Sequence, residues 1–339
     1  MQQEYKIYRT LSEQSVYDIC LNTYGTLDLL SKLMTDNGIS SVSRKLPQGS
    51  SIRYDERYVN DQKFAAQGYV FATRASLPGT FLLDLYPLAT AAYSTRRLNS
   101  DYPGTAFCLR RSLDNREQDI GFDEDGHLDI KCMQQFLAGS AGYITTWYDQ
   151  TGKGQHFAQS DKDKQPMLVE ISPGRYALKS DGLNDSMRAT IAAAIQQNFT
   201  YALIANFIGG TGERCLLHGR ATDTNSMLIM RIGGSARLIT QGYLYTHTWA
   251  LNKYEVIIAI RTPTDGLLRR NMVSTTATTK LANAYDMKHL RIFGEMSLDF
   301  ATALNNCESI VPEFIIWNQD HSINAQGIND NMNKYFKIY

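Results

Sequence analysis

The chain reads as mainly β: a small α/β unit followed by an antiparallel β-sandwich. Three observations lead there. Short apolar runs with strand character recur at 106–111, 143–148, 199–207, 214–218, 226–232, 254–261, 267–273 and 312–318. Glycine-containing turns separate several of them, at Gly209-Gly210, Gly233-Gly234 and Thr264-Asp-Gly266, the spacing expected of a two-sheet packing. Within 143–148, Ile144, Thr146 and Tyr148 alternate with Tyr143, Thr145 and Trp147, so both faces of that strand need cover.

The 339 residues exceed the usual size of one domain, and the pattern divides them. Residues 1–55 read as a β-α-α-β unit. Strand 5–8 comes first, then a helix capped by Ser12 or Ser15 and running to about Thr23. Tyr24-Gly25 ends it, because glycine accepts the left-handed cap geometry. A second helix from Thr26 buries Leu29, Leu30 and Leu33, stops at Asn37-Gly38, and is followed by strand 51–54. Residues 56–80, polar and turn-rich, read as a linker in which 62–74 are open to a further strand or an edge cover. The sandwich occupies 81–339, interrupted by helices expected at 87–98 and 129–137. A C-terminal helix over 323–336 places Ile328, Met332 and Tyr335 on one side.

Composition narrows the function. Lysine plus arginine equals aspartate plus glutamate at 34 each, so no basic field draws in a nucleic acid. Five widely spaced cysteines, with no Cys-x-x-Cys pair, read as reduced residues of the core and edges. The N-terminal residues show no signal-type apolar stretch, and no run approaches the ~20 apolar residues of a membrane helix. Standard export and a membrane span are therefore not expected. The six histidines lack an i, i+4 pair, and neither a Gly-x-Ser-x-Gly elbow nor a phosphate-binding glycine loop is present. No metal and no cofactor are expected. In the acidic stretch 114–125, Asp123-Glu-Asp-Gly126 has part of a calcium-loop spacing, but a solvated turn is the expected reading.

The most informative motif is Tyr143-Ile-Thr-Thr-Trp-Tyr-Asp-Gln-Thr-Gly-Lys-Gly-Gln-His156, a strand that turns into a polar, glycine-punctuated corner. With Tyr93-Ser-Thr-Arg-Arg-Leu98 and Gln165-Pro-Met167 it resembles the catalytic-domain family of fungal α-L-arabinofuranosidase B, which implies a concanavalin-A-like sandwich of jelly-roll type. Three further stretches carry a second resemblance: Leu85-Tyr-Pro-x-Ala-x-x-Ala-Tyr-Ser94, Arg110-Arg-Ser-x-Asp-Asn-x-Glu-Gln-Asp-Ile-Gly-Phe122 and Phe314-Ile-Ile-Trp-Asn-Gln-Asp320. They resemble non-catalytic copies of the domain in virion proteins of phages infecting gut Bacteroidetes, including crAss-like phages. Residues 1–55, through Gln14-Ser-Val-Tyr-Asp-Ile19, Tyr24-Gly25 and Leu46-Pro-x-Gly-x-x-Ile52, resemble the LysM-like fold of phage tail and baseplate proteins. That fold serves there either for docking or for peptidoglycan binding, and docking is the expectation here.

A retaining glycosidase needs two facing carboxyl groups, one as nucleophile and one as acid. The resemblance places the family's nucleophilic glutamate in Asn225-Ser-Met-Leu-Ile-Met-Arg-Ile-Gly233, at about Leu228, and residues 224–234 contain no carboxylate. The family's acid aspartate and adjacent-cysteine pair have no match either. The expectation is therefore a non-enzymatic virion protein of the tail, baseplate or fibre attachment, with no catalytic residue, assembled in the bacterial host cytoplasm. Its partners would be other virion proteins through residues 1–55, further copies of itself in the particle, and a host surface glycan. Asp149, Gln150, His156, Tyr245 and Trp249 are the candidate carbohydrate contacts, Asp149 being read first as a corner residue bonding backbone amides. Trp147 and Trp317 read as core, while Trp249 sits in a polar stretch and suits an exposed platform. The alternatives are a glycoside hydrolase acting on arabinose-containing host polysaccharide, and a secreted carbohydrate-binding protein.

Overall fold

The computed structural model describes residues 5–10, 14–42, 46–47, 49–59, 81–196, 198–209, 212–220, 226–232, 235–240, 243–248, 251–263, 266–271, 273–276, 287–297, 299 and 302–339. The chain forms two compact units, Met1–Thr80 and Phe81–Tyr339. Ser12 and the stretch 62–74 lie outside the described residues, as does most of the expected linker.

In the first unit, strands Tyr5–Arg9 and Ser51–Asp55 pair antiparallel around helices Val16–Tyr24 and Leu30–Asp36. Ser15 starts the first helix through a reciprocal cap. Its hydroxyl accepts from the Asp18 amide at 3.2 Å, while its own amide donates to Asp18 Oδ2 at 2.7 Å. Gly25 ends it at φ 74°. The second helix begins at Leu30 rather than Thr26, because Thr26 and Asp28 hydrogen-bond each other outside it. Val16, Ile19, Cys20, Tyr24 and Leu33 make a separate small core.

The second unit is a curled antiparallel β-structure of two packed layers. One layer contains Ala89–Ser94, Ser309–Trp317, Phe199–Phe207, Tyr254–Arg261 and Gly266–Arg270 in hydrogen-bonded order. The other runs from Glu117–Ile120 through Phe107–Arg111, Gly142–Trp147, Phe157–Ala158, Met187–Ile195, Met287–Ile292, Glu213–Arg220 and Ser226–Ile232. The hairpin Met167–Ser172/Arg175–Lys179 ties the layers together, pairing with Gly142–Trp147 on one side and Ser309–Trp317 on the other.

Period-two alternation explains the first layer, whose strands are covered on both faces. Tyr201, Leu203, Ala259, Phe314 and Ile316 point into the core between the layers. Ala202, Ile204, Val256, Ile258, Ile315 and Trp317 point away from it, onto Ile328, Met332 and Phe336 of the C-terminal helix Ala325–Phe336. Those three positions, four apart, form the apolar stripe of that helix.

The helix expected at 87–98 is instead the strand Ala89–Ser94, preceded by a short helix, Leu82–Leu85. All six strand residues are buried. Ala91 and Tyr93 face one core and Ala89 and Ala92 the other, with a register shift between Ile316 and Trp317 of the partner strand accommodating the break in alternation. A helix would have buried one stripe only. Helix Ile130–Leu137 does occupy the other expected position, capped by Asp129. Trp147 and Trp317 are fully buried. All five cysteines are free.

Candidate active site

A cleft of about 600 Å³ opens where the Arg175–Lys179 strand ends against the residues that lead into Ser309–Trp317. Asp163, Asp181, Asp185 and Glu308 bring carboxyl groups to its lining, and Arg110, Lys162 and Lys179 bring cations. The loop at 181–185 is built by its first residue. Asp181 Oδ1 accepts from the amides of Leu183 at 2.8 Å, Asn184 at 3.2 Å and Asp185 at 3.3 Å, a side-chain turn that an aspartate before glycine favours. Gly182 is required twice over. Its φ is 74°, and a Cβ there would meet Glu308 Cβ at 2.8 Å.

Glu308 is held by its backbone, whose carbonyl accepts from Ile208 at 3.0 Å, and its carboxylate lies 3.6 Å from Lys179 Nζ. Across the loop, Asp185 is only 7% exposed and accepts from the Asp181 amide at 2.9 Å. Burial, with the Asp181 carboxylate close by, pushes the Asp185 carboxyl up to about 7, against the single backbone hydrogen bond. It therefore carries a proton in a large fraction of molecules at neutral pH. Arg110 is fixed at another wall: it donates to Gln165 Oε1 at 2.7 Å, Asn115 Oδ1 at 2.8 Å and the Lys162 carbonyl at 3.1 Å, over the Tyr143 ring. One carboxyl able to give a proton, a second close by and a rigid polar wall are the parts glycosidic cleavage needs.

The corner at 149–156 is different. Asp149 and Gln150 are fully buried. Asp149 accepts from the amides of Ala92 at 3.0 Å, Thr151 at 3.0 Å and Gln155 at 3.3 Å, and from the Thr151 hydroxyl. Gln150 donates to the carbonyls of Ser94 and Arg96 and accepts from the Leu98 amide. Their polar atoms are spent on tying the corner to the strand Ala89–Ser94. His156, half-buried, lines a second cavity with Arg188 and His289. Tyr245 lies in the strand Tyr243–Thr248, opposite Leu238. Trp249 lies outside the described residues. Of the five carbohydrate candidates the structure brings Asp149, Gln150 and His156 together at this corner, the Asp149 amide donating to His156 Nδ1 at 3.0 Å.

Leu228 falls in the strand Ser226–Ile232, between His218 and Ile239 of its neighbours. Asp123 Oδ1 accepts from the amides of Asp125 and His127, which closes the acidic loop on itself.

Residues 85–209 match the family described as Alpha-L-arabinofuranosidase B, catalytic. A probable α-L-arabinofuranosidase B of Aspergillus flavus is 27% identical over 146 residues, which is 41% of this chain and 27% of that protein. The α-L-arabinofuranosidase B of Penicillium canescens is 28% identical over 147 residues, 42% of this chain and 29% of that protein. The chain thus spans about a quarter of the length of these curated relatives. Among solved structures, a GH54 α-L-arabinofuranosidase mutant soaked with 4-nitrophenyl α-L-arabinofuranoside aligns with a TM-score of 0.56 at 17% identity, over 74% of this chain and 64% of that one. An arabinofuranosidase complexed with arabinofuranosyl-α-1,2-xylobiose aligns at 0.52, over 72% and 62%. These alignments establish a shared fold.

The expectation of a non-enzymatic virion protein is corrected by these findings. The matching family is a catalytic domain, and the relatives that carry the resemblance are fungal enzymes. The phage, tail and virion reading, and the virion localisation with it, are withdrawn. That expectation rested on the missing carboxylate near Leu228 and on an acid aspartate with no match, and it gave no weight to the carboxylates at 181–185 and 308. Asp181 and Asp185, in one turn, and the distant Glu308 are brought together by the fold. The one signal in the sequence was Ser180-Asp-Gly-Leu-Asn-Asp-Ser186, a polar turn that reads as an ordinary connection.

Proposed function

We propose that the unit 81–339 is a glycoside hydrolase acting on α-L-arabinofuranosyl linkages. The observation that carries the reading is one polar cleft lined by both Glu308 and Asp185, whose carboxyl burial raises to about 7, within a unit whose residues 85–209 match an arabinofuranosidase catalytic domain. Asp185 donates its proton to the leaving glycosidic oxygen. Glu308 acts at the anomeric carbon, either directly or by activating a water, and Arg110 and Lys179 hold sugar hydroxyls. The assignment departs from the position that the resemblance implies for the nucleophile, where the chain has leucine.

Release of 4-nitrophenol from 4-nitrophenyl α-L-arabinofuranoside tests it. The wild-type protein should turn the substrate over, and Glu308→Gln should abolish turnover while keeping the fold. Absence of turnover in the wild type, or unchanged turnover in Glu308→Gln, refutes the assignment. For the first unit we propose a LysM-like docking module. Its helix pair between two antiparallel strands and its separate core support that reading. A variant lacking residues 1–80 should then cleave the soluble aryl substrate at the wild-type rate.

A further inference from the structure

The two-stranded sheet of the first unit has edges of different kinds. Along the strand Ser51–Asp55 the outer edge is closed. The Arg53 amide donates to Asn37 Oδ1 at 2.7 Å, the Arg53 carbonyl accepts from Asn37 Nδ2 at 2.8 Å, and the Asp55 amide donates to the Tyr24 hydroxyl at 3.1 Å. Those bonds fix the parity of the ladder. Arg53 turns its amide and carbonyl away from the strand Tyr5–Arg9, so Ile7, directly opposite, turns its own away as well. Tyr5 and Arg9, two positions to either side, share that orientation. Among the described residues the Ile7 amide and carbonyl meet no partner.

The side chains along that open edge are complementary to themselves. Ile7 is 52% exposed at the centre of the strand, while Tyr8 packs with Ile52 on the small core. The five residues read Tyr-Lys-Ile-Tyr-Arg. Laid antiparallel on a second copy about Ile7, they place Tyr5 opposite Arg9, Lys6 opposite Tyr8 and Ile7 opposite Ile7. Each cation then faces an aromatic ring, and the exposed apolar side chains cover each other. The Arg9 guanidinium is already held beside the strand, by the Ser51 hydroxyl at 2.6 Å and the Gly49 carbonyl at 3.2 Å, so little further ordering is needed. Other registers fit less well. Sliding by two residues sets Lys6 against Lys6 in one direction and Ile7 against Arg9 in the other, and sliding by one opposes outward-pointing backbone groups to inward-pointing ones.

We propose that the strand Tyr5–Arg9 is a dimerisation edge, joining two copies of this chain in a continuous four-stranded antiparallel sheet with a two-fold axis at Ile7. Assembly closes at two, because the outer strands of that sheet are then the two copies of Ser51–Asp55, whose edges Asn37 and Tyr24 already occupy. The inference rests on the docking reading of the first unit and gives it a partner.

Sedimentation equilibrium of the full chain at up to about 100 µM, where a complex of µM affinity is largely formed, should give twice the mass of one chain. Ile7→Lys, which sets like charges together at the axis, should weaken association at least tenfold. That side chain is exposed, so the variant should keep the wild-type circular dichroism. Cross-linking reads the register. In a directly opposite hydrogen-bonded pair the Cα atoms are about 5.5 Å apart, inside the span of roughly 4.4–6.8 Å that a disulfide tolerates. Ile7→Cys should therefore form a covalent dimer under oxidised glutathione. Arg9→Cys, about 14 Å from its equivalent, should cross-link no more than the wild type. A monomer at every concentration, a dimer undiminished by Ile7→Lys, or Arg9→Cys cross-linking as readily as Ile7→Cys overturns the proposal. A monomer would leave the docking reading standing, since turnover by the chain lacking residues 1–80 tests that separately.

Discussion

Two aspartates in the same unit sit in opposite circumstances. Asp149, in the motif that most resembles the family, is sealed from solvent and accepts from three backbone amides and a hydroxyl. Asp185 lies in an ordinary polar turn, accepts from one amide, and lines a polar cleft with other carboxylates. A carboxylate saturated with donors has no lone pair left for chemistry, and its value lies in holding strands together. One that is buried with few donors keeps its proton and can release it. The motif quoted for the resemblance thus serves to staple the fold, and the carboxyl groups proposed for catalysis lie outside that motif.

The largest separation between the two should come from substitution of each. Asp185→Asn should lower kcat on the aryl arabinofuranoside by about 10²–10⁴-fold, the usual worth of a positioned acid. It should leave the urea midpoint unchanged or higher, because it removes a carboxyl whose ionised form the site disfavours. Asp149→Ala should do the reverse. It orphans the buried amides of Ala92 and Gln155, at about 1–3 kcal/mol for each unsatisfied donor, and the urea midpoint should fall accordingly. If Asp149→Ala abolishes turnover in a protein of unchanged stability, the contrast is wrong.

A buried ion pair provides the next test. Glu313, fully buried, takes a two-point contact from Arg96, at 2.7 and 2.8 Å, and a hydrogen bond from Ser94 at 2.7 Å. Arg96→Ala leaves that carboxylate without its partner and should cost about 3–5 kcal/mol in equilibrium unfolding. Arg96 also lies beneath the C-terminal helix, 4.8 Å from the Tyr335 ring, so helix docking should weaken along with it.

A pH dependence provides a further test. Asp185 holds its proton in the folded state to about 7 but loses it near 3.8 when unfolded. Between those values the folded state binds more protons, so this group makes stability decline as pH rises from about 4 to 7 and adds no further change above. Turnover should fall through the same upper value as the acid ionises. The Asp185→Asn variant should lack that slope in urea titrations at stepped pH. A slope of the same size in the variant would remove Asp185 as its source.

Much of the fold was legible in the sequence because its strands obey simple alternation. Tyr201 to Ala205 and Phe314 to Trp317 write both buried faces into adjacent letters. The strand Ala89–Ser94 was not, because alanine favours helix intrinsically and only the partner strand reveals that both of its faces are covered. The Asp149 corner was legible as a device for bonding amides, since aspartate before a glycine-rich turn has few other uses. The cleft was invisible. Asp181 and Asp185 share one turn, but nothing in the sequence ties them to Glu308, and only the meeting of two strand ends, with Gly182 pressed onto Glu308, brings the three together.

The two tryptophans described lie on opposite sides of one sheet. Trp147 is packed among Tyr93 and Phe157 with its ring nitrogen making no hydrogen bond, whereas Trp317 donates to the Tyr86 carbonyl at 2.9 Å beneath the C-terminal helix. Two of the molecule's three tryptophans are thus built-in fluorophores in chemically distinct surroundings. In a Trp249→Phe background, changes in their emission can be followed separately during denaturation through Trp147→Phe and Trp317→Phe. Loosening of the helical lid and melting of the interior would then be distinguishable by colour.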